Sequence, residues 1–327
     1  MSRYIARDLR SVALTFMLTA AITACQNDDP IAPGKVPSSE GSASTIKNKP
    51  VLYFNGIMFS GSHEAPTGEI YSANPDGSAV FRLTNDNVTD SYPDVSPAGP
   101  AFAWARFSGN GQTSEIFSQN LDGSHRKQLT FLNTVAISPR YSPDGTRIAF
   151  TAVVGSGAEI FTMNADGTGI AQLTNSGKNS GSPSWSPDGT KIAFQSSDNN
   201  GMPGVWVMDA SGSGQKLLVS CSAPGCTHPK WNPVTNEIAI ERINGSGIFV
   251  VDATSGGTTA YIPWSMNDMM PTWSKDGKYI VFASLRSNNG TYDLFSTLPM
   301  RRDMTLEPTV AQLTSFTGDE LAPAYSR

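Results

Sequence analysis

The apolar positions from residue 51 onward follow no helical period. They fall in short runs, partly alternating, such as RIAF (147–150), EIFTMN (159–164) and AQLT (171–174), each bounded by Pro, Gly, Asp, Asn or Ser. Runs of that length between turn residues predict strands. Pro143-Asp144-Gly145 predicts a tight turn, because Pro presets φ, Asp caps the turn and Gly accepts a positive φ. Asp166-Gly167 predicts a second hairpin before the final run. Together these make a unit of four antiparallel strands.

The unit repeats. A Pro followed two residues later by an aromatic or Val recurs at Pro93, Pro139, Pro183, Pro229, Pro271 and Pro323, at intervals of 46, 44, 46, 42 and 52 residues. Four strands per repeat of this length predict the blades of a β-propeller. The first unit, VLYFNGIMF (51–59), EIYSANPDG (69–77) and VFRLT (80–84), lacks its leading strand. The last segment, ELAPAYSR (320–327), is a leading strand with nothing after it. The two ends are expected to complete one blade, giving six blades in a closed ring with no open sheet edge. An open sandwich or solenoid is the alternative, and the complementary ends argue against it. Unit 5 is degenerate, with Pro233-Val-Thr-Asn236 at the first turn, and unit 6 carries the insertion LPMRRDMTLEPT (298–309).

Strand polarity sorts the loops. The PDG and ADG turns share one face and are short and alike. The loops between second and third strands, and between blades, share the other face and differ in every unit. Variable loops on a rigid scaffold are where binding usually sits. The candidate ligand-binding residues there are Asp90, Tyr92, Arg106, His228, Arg242, Asp268, Met270, Arg286, Asp319 and Glu320. The plainer reading makes each a solvated loop residue, and makes the methionines around Met266, Met269 and Met270 packing against a neighbouring blade. The residue or two before each repeated Pro should ring the channel mouth.

The segments PRYSPDGTRIAF (139–150), EIFTMNADG (159–167) and AQLT (171–174) resemble the WD40-like propeller repeat of the TolB family and of the propellers attached to prolyl oligopeptidases. The resemblance covers about residues 51–327. It implies an all-β, six-bladed propeller that binds partners rather than catalysing a reaction. TolB-family proteins carry an α/β domain before the propeller, for which this chain leaves no room, so the resemblance supports the fold more than a Tol–Pal role.

The N-terminus reads as an export signal. Arg3, Arg7 and Arg10 precede an apolar run, Val12–Ala21, too short to span a bilayer. Ile22-Thr23-Ala24-Cys25 resembles the bacterial lipobox, which implies removal of residues 1–24 and lipidation of Cys25. Ordinary cleavage after Ala24 is the alternative. Gln26 in place of Asp favours the outer membrane by the same resemblance. Residues 25–50, rich in Pro, Ser, Gly and Asn, read as a disordered tether of roughly 25–30 Å reach. The chain is expected to be a monomer in the cell envelope, on the periplasmic or surface face, meeting the membrane only through its lipid.

Composition and chemistry narrow the function. A hydrophobic share of 39% permits a sizeable core, and a net charge of -5 points away from nucleic acid. The sequence contains no G-x-S-x-G, no G-x-G-x-x-G and no P-loop. His63 and His228 fall on the variable face and His125 on the other, so three histidines do not converge on a metal; a two-His site completed by carboxylates stays open. No cofactor is expected. Asn164 to Thr168 is similar to the start of a calcium loop, but the bidentate Glu is missing and a hairpin is the better reading. Cys221 and Cys226 read as a disulfide, the third Cys being assigned to lipid; a soft-metal site is the alternative. The leading functional reading is a non-catalytic envelope module for a protein, peptide or cell-wall partner. The others are a propeller-type polysaccharide lyase or glycosidase, needing Asp90, Asp268, Asp319 and Glu320 to cluster at the mouth, and a structural envelope lipoprotein.

Overall fold

The computed structural model describes residues 57–61, 67–197, 201–221, 225–242, 247–262, 267–287, 290–301, 304, 309–315 and 318–325. The expectations placed on residues 1–56, Cys25 among them, and on His63 and Met266 lie outside the described residues.

The described elements are strands, gathered into six antiparallel sheets. Blade 1 contains β1 (Ile57–Gly61), β2 (Glu69–Ala73) and β3 (Phe81–Arg82). Blade 2 is β4 (Asp90–Val95), β5 (Ala101–Phe107), β6 (Ser114–Asn120) and β7 (Lys127–Gln128). Blade 3 is β8 (Ala136–Tyr141), β9 (Arg147–Val154), β10 (Gly157–Asn164) and β11 (Ala171–Gln172). Blade 4 is β12 (Gly181–Trp185), β13 (Lys191–Ser197), β14 (Pro203–Asp209) and β15 (Lys216–Ser220). Blade 5 is β16 (Cys226–Trp231), β17 (Glu237–Arg242), β18 (Gly247–Asp252) and β19 (Thr258–Tyr261). Blade 6 is β20 (Met269–Trp273), β21 (Ile280–Ser284), β22 (Asp293–Thr297) and β24 (Ala311–Gln312). The final strand, β25 (Glu320–Tyr325), pairs antiparallel with β1 and supplies the missing inner strand of blade 1. The ring is therefore closed between the two ends of the propeller.

Within a blade, cross-strand aromatic pairs carry the packing. Phe59 stacks on Tyr71 and Phe150 on Phe161, each with ring centroids 5.6 Å apart, and Phe282 stacks on Phe295 at 6.2 Å. A polar lock sits beside them. The Oγ1 of Thr84, Thr130 and Thr174 donates to Glu69, Glu115 and Glu159 at 2.6, 2.5 and 2.5 Å, and accepts the amide of the residue after each Glu. The outer strand reduces to two residues, and this side-chain bond holds the chain where the backbone ladder ends.

Between blades, the repeat residues bind their neighbours. Trp185 Nε1 donates to the carbonyl of Arg140 at 3.0 Å, and Trp273 Nε1 to that of Lys230 at 2.9 Å. Tyr141 N donates to Asp94 Oδ2 and Trp231 N to Ser184 Oγ. The turn glycine of the ADG motif has a second reason beyond its positive φ. A Cβ on Gly167 would stand 2.8 Å from the carbonyl oxygen of Leu129 in the preceding blade. Turn and seam thus demand the same residue.

Blade 5 departs from the rule. At the lock position it has Gly247, as blade 4 has Gly204, and the insertion within blade 6 extends the edge of blade 5. Its strand β23 (Met300–Arg301) pairs with β19 as a fifth strand, and Arg301 grips Glu237 with both Nη atoms at 2.8 and 2.9 Å.

Candidate functional site

The innermost strand of every blade breaks register just before its repeated proline. The bulged residue takes a left-handed backbone each time: Tyr92 (φ 54), Ser138 (55), Ser182 (51), His228 (49), Met270 (52) and Ala322 (51). Six such non-glycine residues cost roughly 1–3 kcal/mol apiece and persist only where the surroundings hold them. In three blades the hold is visible. Thr151 Oγ1 accepts the amide of Ser182 at 3.1 Å, Gln195 Oε1 that of His228 at 3.3 Å, and Glu241 Oε2 that of Met270 at 3.0 Å. Each acceptor comes from the blade before, so the strain and the seam share one bond.

These six residues, with Arg140, Lys230 and four of the repeated prolines, line one depression at the channel mouth. The ring foreseen before each repeated Pro is where the structure places it, and it takes in Tyr92, His228 and Met270 from the candidate set. Arg140 is buried, donating through Nη1 to the carbonyls of Pro93 at 3.0 Å and Pro139 at 3.1 Å, with Asp94 Oδ1 3.5 Å away. His228 Nδ1 lies 2.9 Å from Glu241 Oε2. Burial raises the Tyr92 phenol above its ordinary value, against the opposing pull of Arg140. Arg140, Lys230 and Glu241 were not among the sequence candidates. Glu241 had one available signal: it is the charged member of a strand position filled by Thr151 and Gln195 in the two preceding blades.

Three of the candidate carboxylates need correction. Asp90, Asp268 and Glu320 were expected as loop residues open to water, but their exposures are 0%, 4% and 0%. They share a position three residues ahead of the repeated proline, where the inner strand begins and a seam closes over the side chain. Asp268 forms an ion pair with Arg286 Nη2 at 2.6 Å. Asp90 lies 3.5 Å from Arg106 Nη1 and 3.7 Å from Arg126 Nη2, and burial pushes its pKa up to about 6. Glu320 accepts from Thr314 Oγ1 at 3.2 Å; burial, then neighbouring Asp293, pushes it up to about 9. Asp319, half-buried, accepts the amide of Tyr292 at 2.8 Å and is raised by burial. None of the four lines the mouth. Asp90 and Asp268 occupy different seams, Asp319 and Glu320 lie side by side in a third, and the four do not converge.

The oxygens of Glu69, Asp86 and Asp90 approach within 4.8 Å of one another, a spacing that suits a cation. Three guanidiniums already interleave them. Arg82 bonds Glu69 at 2.7 Å, Arg106 bonds Asp86 at 2.6 Å, and Arg126 reaches Asp86 at 3.4 Å. Three carboxylates against three fixed cations make a balanced salt network. Cys221 and Cys226 are bonded as a disulfide. At Asn164–Thr168 the structure forms a hairpin turn, in which Asp166 Oδ1 accepts the amide of Thr168 at 2.9 Å and its hydroxyl at 2.6 Å.

A closed six-bladed ring with one inner-strand bulge per blade defines a propeller scaffold that presents a central mouth. Residues 57–288 match the TolB beta propeller domain, and the chain belongs to that family. None of the curated proteins matches it. Among solved structures, TolB from Acinetobacter baumannii is similar at 20% identity with a TM-score of 0.69, over 86% of this chain and 69% of that one. A nidogen/laminin complex aligns at 10% identity and TM-score 0.65, over 84% and 99% of the two chains. Hydrazine synthase from Kuenenia stuttgartiensis aligns at 15% identity and TM-score 0.65, over 90% and 50%. At such identities these likenesses show the fold alone.

Proposed function

We propose that this chain is a non-catalytic binding module of the cell envelope, holding a peptide segment of a partner over the channel mouth. The observation that carries the reading is the ring of six left-handed bulges, one per blade, around a single depression at the channel mouth. Backbone strain repeated six times at one place, and held in three blades by side chains of the blade before, shapes a surface no isolated blade would have. The depression mixes hydroxyls, prolines and Met270 with Arg140, His228 and Lys230, a lining suited to a short polar segment with some apolar contact. The lyase or glycosidase reading needed carboxylates gathered there, and Asp90, Asp268, Asp319 and Glu320 give it no support. Lipidation of Cys25, the 25–50 tether, envelope localisation and a monomeric state belong to the same proposal.

The test fills the mouth. Ser138→Trp and Ser182→Trp place bulk in the ring without touching a salt bridge. Capture of a partner by crosslinking in cells should fall strongly for both variants, with melting temperatures near wild type. Undiminished capture by both would remove the mouth from the function.

A further inference from the structure

The outer edges of the blades are built in two ways. In blades 1, 2, 3 and 6 the outer strand is two residues long, whereas β19 of blade 5 has four and β15 of blade 4 has five. The two long strands belong to the blades with a glycine at the lock position. A Cβ on Gly204 would stand 2.7 Å from the carbonyl oxygen of Val219, so the missing side chain lets β15 run on beside β14.

In blade 5 the long edge is occupied. Met300 and Arg301 of β23 stand opposite Tyr261 and Ala260. Arg301 reaches along the sheet to Glu237, which itself stands opposite Asp252. The edge thus accepts a short strand, apolar then charged, whose charge is opposite in sign to the corner it meets.

Among the described residues no strand pairs with the outer side of β15. Leu217, Leu218 and Val219 are half-buried there, between exposed Lys216 and Ser220. Leu217 holds the place of Tyr261, and Lys216 that of Ala260, because their partners Trp206 and Val207 match Phe249 and Val250. Lys191 holds the place of Glu237, each opening the second strand of its blade. The corner is therefore reversed in sign. Lys191 and Lys216 face one acid, Asp209, which pairs with Lys191 at 3.0 Å with both side chains half exposed. A pair so open to water is weak.

We infer that β15 is a second interaction surface, apart from the mouth, which adds an extended segment of a partner protein to blade 4 as a fifth strand. The segment runs antiparallel to β15, with an apolar residue opposite Leu217 followed by an acidic one opposite Lys216. Main-chain bonds along the edge supply attachment, and the two side chains select the partner. Two other occupants lack that pair. Residues 26–50 contain no apolar residue directly followed by Asp or Glu, and β15 has no acid to offer a second copy of itself.

Peptide phage selection on the purified full chain tests this. Wild type should enrich an apolar residue followed by Asp or Glu. The double variant Lys191→Glu, Lys216→Glu should enrich an apolar residue followed by Lys or Arg instead. It sets an acid opposite Asp209, a pairing blade 5 already carries as Glu237 opposite Asp252. Ser138→Trp, which fills the mouth, should leave the selection unchanged. With the best synthetic peptide bound, hydrogen exchange should slow at residues 216–220, and replacing the peptide's acid by Lys should weaken binding roughly tenfold or more. An unaltered preference in the double variant, protection away from 216–220, or loss of the selection in Ser138→Trp would overturn the edge site and leave the mouth standing. A dimer in light scattering, protected at 216–220, would overturn the partner assignment in favour of a second copy. Failure to enrich the pair at all would overturn the site.

Discussion

The two faces of the propeller treat the same carboxyl group in opposite ways. On the repeated-turn face, Asp144, Asp188 and Asp276 sit in water, and a serine two residues back donates to each at 2.5–2.6 Å. Those bonds lower their pKa values below the ordinary carboxylate range. On the loop face, Asp90, Asp319 and Glu320 are raised, first of all by burial. A hairpin turn organises its own charge locally with a neighbouring hydroxyl. A seam between blades instead draws the charge out of water, and only a guanidinium or a retained proton makes that tolerable. The three turn-face aspartates are thus satisfied locally, whereas the loop face holds the buried Asp90, Asp268 and Glu320 and the strained ring. That asymmetry, more than loop length, distinguishes the two faces.

The comparison breaks most violently at the ring closure. A chain ending at Asp319 loses β25, exposes the edge of β1 and removes Glu320 from its seam. It should aggregate, or melt tens of degrees lower, in a thermal scan. A melting temperature equal to wild type would refute terminal closure.

A smaller effect separates the faces by pH. Glu320 has a folded pKa of about 9 against an ordinary 4.5, so the folded protein keeps a proton that the unfolded chain releases. Its contribution to stability is full below pH 4.5 and falls as pH rises toward 9, by up to about 1.4 kcal/mol per unit. Asp90 acts in the same direction up to about pH 6. Melting temperature should therefore decline from pH 5.5 to 8.5. Glu320→Gln should flatten the slope above pH 6 and raise the melting point at pH 8.5. An equal slope in the variant would show that Glu320 ionises freely.

The turn face gives the smallest change and the opposite sign. Asp144 is lowered, so its stabilisation is present above the ordinary 3.8 and is lost as pH falls through the depressed value. Asp144→Ala should cost about 0.5–1 kcal/mol at neutral pH, in the range of other capping side chains, and the difference from wild type should vanish near pH 2. Calorimetry at the two pH values measures it; a difference that persists in acid would mean the turn is not held by the ionised form.

Much of this architecture is legible in the chain. Turn chemistry at Pro143–Gly145 and Asp166–Gly167 is local, so it survives without tertiary information. The repeated proline at its interval counted the blades and marked the ring through Tyr92, His228 and Met270. Cys221 and Cys226, five residues apart, left themselves as natural partners. What stayed hidden depends on side-chain contacts across strands within a blade and across the seams between blades. The glutamates at 69, 115 and 159 look like ordinary strand-edge polar residues, yet each accepts from a threonine 15 residues ahead. Arg140 and Lys230 look like variable positions after a proline until the ring curls them into the mouth.

The sequence by itself determined the number of blades, their strand order, the closure and the face on which variation sits, because those follow from a local pattern repeated six times. The tertiary structure decided which charges are buried and which are paired. Asp90 and Cys226 hold equivalent places in their repeats, and nothing nearby in the chain reveals that one neutralises an arginine and the other does not. The partners meet only when neighbouring strands and blades are packed, and burial multiplies the worth of every charge left within the seam.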